Sequence, residues 1–197
     1  MRTMQRAFSR AGYELKYSEG YNPHPQISIS LPLSVGTASL CEVMDFKLKK
    51  EENLSELPGR LSAQMPEGIE VYDAYEAERK ASELKWLEIE GIFEYDSRDA
   101  VEMVSKLRSF FDCGHMIISK KTKKGMGEMD ICPAIKLLNF KAEGGDVKLH
   151  GIISAQAPTL NPELIADALR QKAPEIAPDF AKFIRTEAYD CQMNVFR

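Results

Sequence analysis

The sequence predicts an α+β protein of two tandem ferredoxin-like (βαββαβ) domains, the first lacking its N-terminal strand. Three observations carry that prediction. Residues 1–80 read in order as helix, strand, strand, helix, strand, and residues 81–197 read as the same order with an opening strand added. The polar stretch Glu78 to Lys85 makes a linker between the two runs. In the second run, Gly144-Gly145 stands between two alternating apolar stretches, which is the signature of a two-residue hairpin. The expected domains are therefore 1–80 and 81–197.

Each element has a local reason. Met4, Ala7, Phe8 and Ala11 fall at i, i+3, i+4 and i+7, which predicts a helix over Arg2 to Ala11 closed by Gly12; Arg2, Arg6 and Arg10 recur four apart on roughly the opposite side. Tyr13 to Tyr17 and Gln26 to Leu31 read as extended, and Pro32 ends the latter. Glu42 to Lys50 alternates, with Val43, Asp45 and Lys47 against Met44, Phe46 and Leu48. Leu54 to Met65 reads as a helix with a break expected at Pro58-Gly59, and Ile69 to Tyr75 as a strand.

In the second half, Trp86 to Tyr95 alternates as a strand, and Ser97 with Asp99 opens a helix that runs to about Phe111. His115 to Lys121 reads as a strand, followed by a Lys/Gly turn, and Met129 to Phe140 and Val147 to Gln156 as two more. Asn161-Pro162-Glu163 begins a helix with proline at its first position, reaching about Gln171, and Phe180 to Asp190 is the last strand. Trp86, Phe93, Phe110 and Phe111 are expected in the core.

Composition narrows the function classes. With 44% hydrophobic and 28% charged residues the chain is an ordinary globular sequence. No apolar run approaches the roughly 20 residues that cross a bilayer, and no apolar secretory stretch opens the chain, so a cytoplasmic protein without membrane contact is expected. Cys41, Cys113, Cys132 and Cys191 stand far apart, which writes neither a zinc finger nor an iron–sulfur cluster; reduced and mostly buried thiols are expected, with no cofactor and no metal. The net charge of −4 conceals a division: residues 1–50 and 101–150 are weakly basic, whereas 51–100 are strongly acidic. Overall acidity argues against a general nucleic-acid coat, yet the field that a polyanion meets is local.

Two constellations carry chemistry. The first is Tyr17-Ser18-Glu19-Gly20-Tyr21-Asn22-Pro23-His24-Pro25, in which one glycine and two prolines stiffen the backbone around a single imidazole. His24 reads foremost as a loop cap bonded to backbone, next as a ligand contact, and least as a general acid or base, since no partner carboxylate or nucleophile stands at a recognisable spacing. Tyr17, Tyr21 and Asn22 beside it supply stacking and amide hydrogen bonding, as recognition of an unpaired base requires. The second is Lys120-Lys121-x-Lys123-Lys124-Gly125-x-Gly127 at a hairpin tip, either a solvated turn or a basic grip on phosphate. Arg2, Arg6 and Arg10 add planar forks suited to phosphate, with pairing to the acidic stretch 88–99 as the alternative. Glu128 and Asp130 lack a third metal ligand at useful spacing.

The Tyr17 to Pro25 run, the Arg-rich opening helix, Cys41-Glu42-Val43-Met44-Asp45, Leu57 to Met65 leading into Pro66-Glu67-Gly68, and the Lys120 to Pro133 segment together resemble the bacterial radical SAM-linked protein family. That resemblance covers nearly the full chain. It implies a partner radical SAM enzyme, fused or encoded alongside, and an extra strand ahead of the first helix in related chains, so that Met1 is expected to be internal to a longer natural product. The Cys-x3-Cys-x2-Cys cluster that binds S-adenosylmethionine is absent here, so radical chemistry is expected of the partner.

The leading expectation is a non-catalytic accessory protein that binds RNA, with tRNA or rRNA as the expected class, or presents substrate to the radical SAM enzyme, in RNA modification. The catalytic residues are unknown on this reading. One alternative is an RNA-modifying or processing enzyme with a site around His24, supported by Asp45 or Glu42. A further alternative is a protein-interaction module that docks through the acidic block 83–99.

Overall fold

The computed structural model describes residues 1–122 and 125–197, a mixed α+β protein with four α-helices and nine strands in mixed sheets. Lys123 and Lys124 lie outside the described residues. The chain divides into two compact units. Met1–Pro32 with Glu42–Lys80 form the first, and Leu33–Cys41 with Ala81–Arg197 form the second. The segment Leu33–Cys41, which lies within the expected 1–80 domain, thus belongs to the other unit.

In the first unit, α1 (Arg2–Arg10) buries Ala7 and Phe8 and leaves Arg2, Arg6 and Arg10 exposed, as its periodicity requires. Its core joins those two residues to Ala11, Tyr13, Leu15, Leu57 and Leu61, with Met44, Phe46 and Leu48 packed against them. Phe8 meets the Phe46 ring at 4.9 Å between centroids. The strands are short: β1 (Ile27–Ile29) pairs antiparallel with β3 (Met44–Phe46), and single bridges join Leu15 to Leu48 and Tyr17 to Pro25.

Two expectations fail in this unit. Pro58 does not break a long helix; it stands in the first turn of a short one, α2 (Leu57–Ser62), where its missing N–H costs nothing. Residues 69–75 form no strand. There the Val71 N–H donates to Ser62 Oγ at 2.9 Å and Ser62 Oγ donates back to the Val71 carbonyl at 3.3 Å, so a side chain takes the groups that a ladder would use. The first unit therefore lacks the complete strand set expected of it.

The second unit is a five-stranded sheet in the order β2-β9-β4-β8-β7. β4 (Trp86–Glu94) lies between β8 (Asp146–Ser154) and β9 (Phe180–Tyr189), antiparallel to both, and β7 (Ile135–Glu143) closes the far edge against β8. Gly144 and Gly145, both at positive φ, turn β7 into β8, a backbone state that only glycine takes without strain. β2 (Thr37–Ser39), unforeseen in the sequence, adds to β9 in parallel, and the Leu40 N–H continues the pairing to the Arg185 carbonyl at 2.8 Å.

Helix α3 (Ala100–Phe111) starts at Asp99, whose carboxylate accepts from the Glu102 N–H at 2.9 Å, and α4 (Glu163–Lys172) starts just after Pro162. One face of the sheet is buried through Leu87, Ile89, Phe93, Leu149 and Ile153, and Phe111 of α3 stacks on Phe140 at 5.7 Å on that side. The opposite face is half-exposed. The expected strand Met129 to Phe140 is two: β5 (Ile117–Thr122) and β6 (Gly125–Asp130) form a separate hairpin, and a turn at Cys132–Ala134 with Pro133 splits β6 from β7. Gln171 of α4 clamps the hairpin, accepting from the Ser119 N–H at 2.8 Å and donating to its carbonyl at 2.9 Å. Among the described residues no helix is long and apolar enough to cross a membrane.

Candidate nucleic-acid interface

The Tyr17 to Pro25 loop is closed on itself. Ser18 Oγ accepts from the His24 N–H at 3.1 Å and lies 3.0 Å from His24 Nδ1, while the Ser18 N–H donates to the His24 carbonyl at 2.9 Å. Nδ1 also lies 3.4 Å from the Asn22 carbonyl. One ring nitrogen thus works as a loop cap. Tyr17, Tyr21, Asn22 and His24 are all exposed, Tyr21 at 107% of its reference area. A tyrosine ring held fully in water by a rigid loop stabilises nothing in the fold.

The arginine stripe divides in use. Arg10 Nη2 donates to the Gln64 carbonyl at 2.5 Å, so its guanidinium ties α1 to the end of α2. Arg6 and Arg10 also line an open depression with Thr3, Gln64, Met65 and Pro66. On the hairpin, Lys120 Nζ lies 3.1 Å from Met129 Sδ, turned along its own strands, whereas Lys121 is exposed. The expected phosphate contacts Lys123 and Lys124 are outside the described residues.

The sheet adds a site that the residue order hides. Trp86, expected in the core, lies on the half-exposed face, because strand alternation puts Leu87, Ile89 and Phe93 inside and Trp86, Glu88 and Glu90 on the other side. Lys85 Nζ stands 5.8 Å and Lys136 Nζ 5.2 Å from the centroid of the Trp86 ring, both within cation–π reach. Lys85 is held there by the Gln156 carbonyl at 3.1 Å. Lys136 arrives by a bulge: Ile135 pairs with Ile153 and Leu137 with Ile152, which leaves Lys136 unpaired and re-aimed.

A second bulge completes the face. The β4 partner of Glu88 is Glu187 and that of Ile89 is Arg185, so Thr186 is skipped and the alternation of β9 inverts. Tyr189 is thereby carried to the side of Glu88. The Glu88 carboxylate accepts from the Tyr189 hydroxyl at 2.9 Å and pairs with His150 Nε2 at 2.7 Å. Burial, then the hydrogen bond and the charge of Glu88, push the Tyr189 phenol up to about 12, so it is a donor at neutral pH.

The acidic block is largely engaged inside its own unit. Glu88 serves this network, Lys182 pairs with Glu94 at 2.5 Å, and Asp99 caps α3. Asp130 accepts from the Met116 and Cys132 N–H groups and from His115 at 2.8 Å, interactions led by the His115 bond that hold its carboxyl below the usual range. Among the described residues, no group of three or more such side chains is placed to hold a metal ion.

None of the four cysteines is in a disulfide, and the expectation that they are mostly buried fails. Cys113 and Cys191 are exposed and Cys41 and Cys132 half-buried, because each sits at the end of an element and not on a core-facing position.

The chain belongs to a bacterial family: the one described as "uncharacterized protein conserved in bacteria" (DUF2344) matches residues 1–175, which take in the Tyr17 to Pro25 loop, the hairpin, and Trp86 with the two lysines near its ring. No curated protein matches the chain.

Proposed function

We propose that this protein is a non-catalytic accessory protein that binds RNA on its sheet and loop surfaces and presents it to a partner radical SAM enzyme. The observation that carries the RNA reading is Trp86, half-exposed on the sheet face with two lysine ammonium groups over its ring. An aromatic plane accepts an unpaired base, the ammonium groups meet the phosphates on either side, and the Tyr189 and His150 groups offer hydrogen bonds to a base edge. The exposed Tyr21 and His24 supply a second contact of the same chemistry. The order β4-α3-β7-β8-α4-β9, with sheet neighbours β9-β4-β8-β7, supports a ferredoxin-like reading of the second unit, a sheet type that lends itself to single-stranded RNA. The radical SAM half of the proposal rests on the family resemblance of the Tyr17 to Pro25 and Lys120 to Pro133 segments, whereas a cytoplasmic setting rests on the sequence having no apolar run of spanning length and no apolar secretory stretch at its start.

Trp86 is the only tryptophan, so its fluorescence reports on this site alone. Titration with single-stranded RNA is expected to quench it, and Trp86→Ala to weaken binding by about 1–3 kcal/mol, the value of one stacked base. Lys136→Ala is expected to lower the slope of log affinity against log salt by about 0.7, and alanine at Lys120, Lys121, Lys123 and Lys124 together by up to about 3. His24→Ala is expected to change the choice among RNAs and leave the slope alone. Unquenched fluorescence together with no salt-dependent affinity would overturn the RNA reading. Copurification from the native host tests the enzyme partner: recovery without any radical SAM protein removes that half.

A further inference from the structure

Cys113 and Cys132 are far apart in sequence, yet their sulfur atoms lie 3.5 Å apart. A disulfide needs about 2.05 Å, so roughly 1.5 Å of approach closes the bond. Cys132 is the fixed partner. Its N–H donates to Asp130 Oδ1 at 3.2 Å, and the same carboxylate oxygen holds the Met116 N–H at 2.9 Å, while the Ile131 N–H donates to the Met116 carbonyl at 3.0 Å. Cys113 is the movable partner, exposed in the connection after α3 and followed by Gly114, around which there is open space. Both border a surface groove with Arg108, Phe111, Lys136 and Phe140, so a small oxidant reaches them from solvent.

We infer that Cys113 and Cys132 are a built dithiol that forms a reversible disulfide, stapling the end of α3 to the junction of β6 and β7. This assignment stands apart from the RNA reading. The oxidant is a low-molecular-weight disulfide. The Cys113 thiolate attacks one of its sulfurs and expels the first thiolate, leaving a mixed disulfide on Cys113. The Cys132 sulfur then attacks the Cys113 sulfur and expels the second thiolate, and the two protons of the protein thiols end on the two released small thiols. The protein pair is oxidised by two electrons and the small disulfide is reduced by two. Burial, then the hydrogen bond and charge of Cys113, push the Cys132 thiol up to about 12. That assigns the first attack to the exposed Cys113 and leaves Cys132 as the resolving sulfur.

The closed ring contains the whole β5–β6 hairpin and its lysines, and Cys132 precedes the Lys136 bulge by one short turn. Oxidation therefore tightens the base of the hairpin.

The test is incubation of the full chain in oxidised glutathione, followed by alkylation, intact mass and peptide mapping. The expected result is two alkyl adducts per chain in place of four, with two hydrogen atoms lost to a single cross-link between the Cys113 and Cys132 peptides and the adducts on Cys41 and Cys191. Dithiothreitol is expected to restore four reactive thiols. Cys113→Ser, at an exposed position that does not threaten the fold, is expected to abolish the cross-link, and Cys132→Ser to trap glutathione on Cys113. In the oxidised form, amide exchange at Met116 and Ile131 is expected to slow, and Cys113→Ser to remove that slowing. Cross-links through Cys41 or Cys191, between chains, or unchanged by Cys113→Ser would overturn the assignment. So would a bound metal ion that keeps both thiols reduced until chelated.

Discussion

The two units of this chain are held together in different ways. The second rests on long ladders: β4 runs nine residues and is paired along its length on both sides. The first has a three-residue ladder and two single bridges, so it depends on one apolar cluster centred on Phe8. Ladders distribute stability along many backbone bonds, whereas a small cluster concentrates it in a few side chains. The loop that carries Tyr21 and His24 sits on the concentrated kind, and the sheet face that carries Trp86 on the distributed kind.

The largest expected effect breaks that comparison at its weaker side. Phe8 is fully buried, and Phe8→Ala is expected to cost about 3–5 kcal/mol, which is of the order that so small a core supplies. Amide exchange is expected to lose protection throughout residues 1–32 and 42–80 while β4 and β8 keep theirs. Loss of protection in β4 as well would show that the units share one cooperative transition. A smaller effect is expected from Leu40→Pro, which removes the donor to the Arg185 carbonyl and costs about 1–3 kcal/mol. Here exchange should speed up along Thr37–Ser39 alone; a loss of protection in the first unit would mean that β2 supports both.

The smallest effect sharpens the account of the second unit. The Tyr95 hydroxyl donates to the Ile176 carbonyl at 2.9 Å, and burial pushes its phenol up to about 12 against a pull in the other direction from Arg98. Folding therefore favours the neutral phenol. The stability this confers is complete below the unfolded value of about 10 and is lost as pH rises through about 12. Tyr95→Phe is expected to cost about 1 kcal/mol at neutral pH and to make the alkaline fall in the urea midpoint less steep. Tyr189, raised in the same direction, keeps part of that fall in place. An alkaline slope identical in the variant and the parent would remove Tyr95 from the account.

The candidate surfaces were legible in unequal measure. The exposure of Tyr21 and His24 follows from glycine and proline around them, since a stiff loop of this kind has nowhere to bury its rings. Trp86 reads from the sequence as core, because a large aromatic on a strand is more often inside, and only the face occupied by Leu87 and Ile89 decides otherwise. Lys136 and Tyr189 give no local sign at all. Their positions depend on bulges, each of which shifts a strand by one residue and so exchanges its two faces.

The sequence by itself determined the elements whose causes are local: α1 from its four-residue spacing, α3 from the Asp99 cap, the β7–β8 hairpin from Gly144-Gly145, and β4 from its alternation. Tertiary structure alone decided whatever depends on a remote partner. It gave Leu33–Cys41 to the second unit, where Thr37 to Ser39, too short and too small to read as a strand, find hydrogen bonds along Phe183 to Arg185. It left residues 69–75 without a ladder because Ser62 took the Val71 backbone groups. It also brought Cys113 to Cys132 and Lys136 to Trp86. Periodicity and capping act within a few residues and can be read along the chain, whereas strand partners, bulges and side-chain competitors for the backbone are settled by which distant groups the fold brings into hydrogen-bonding reach.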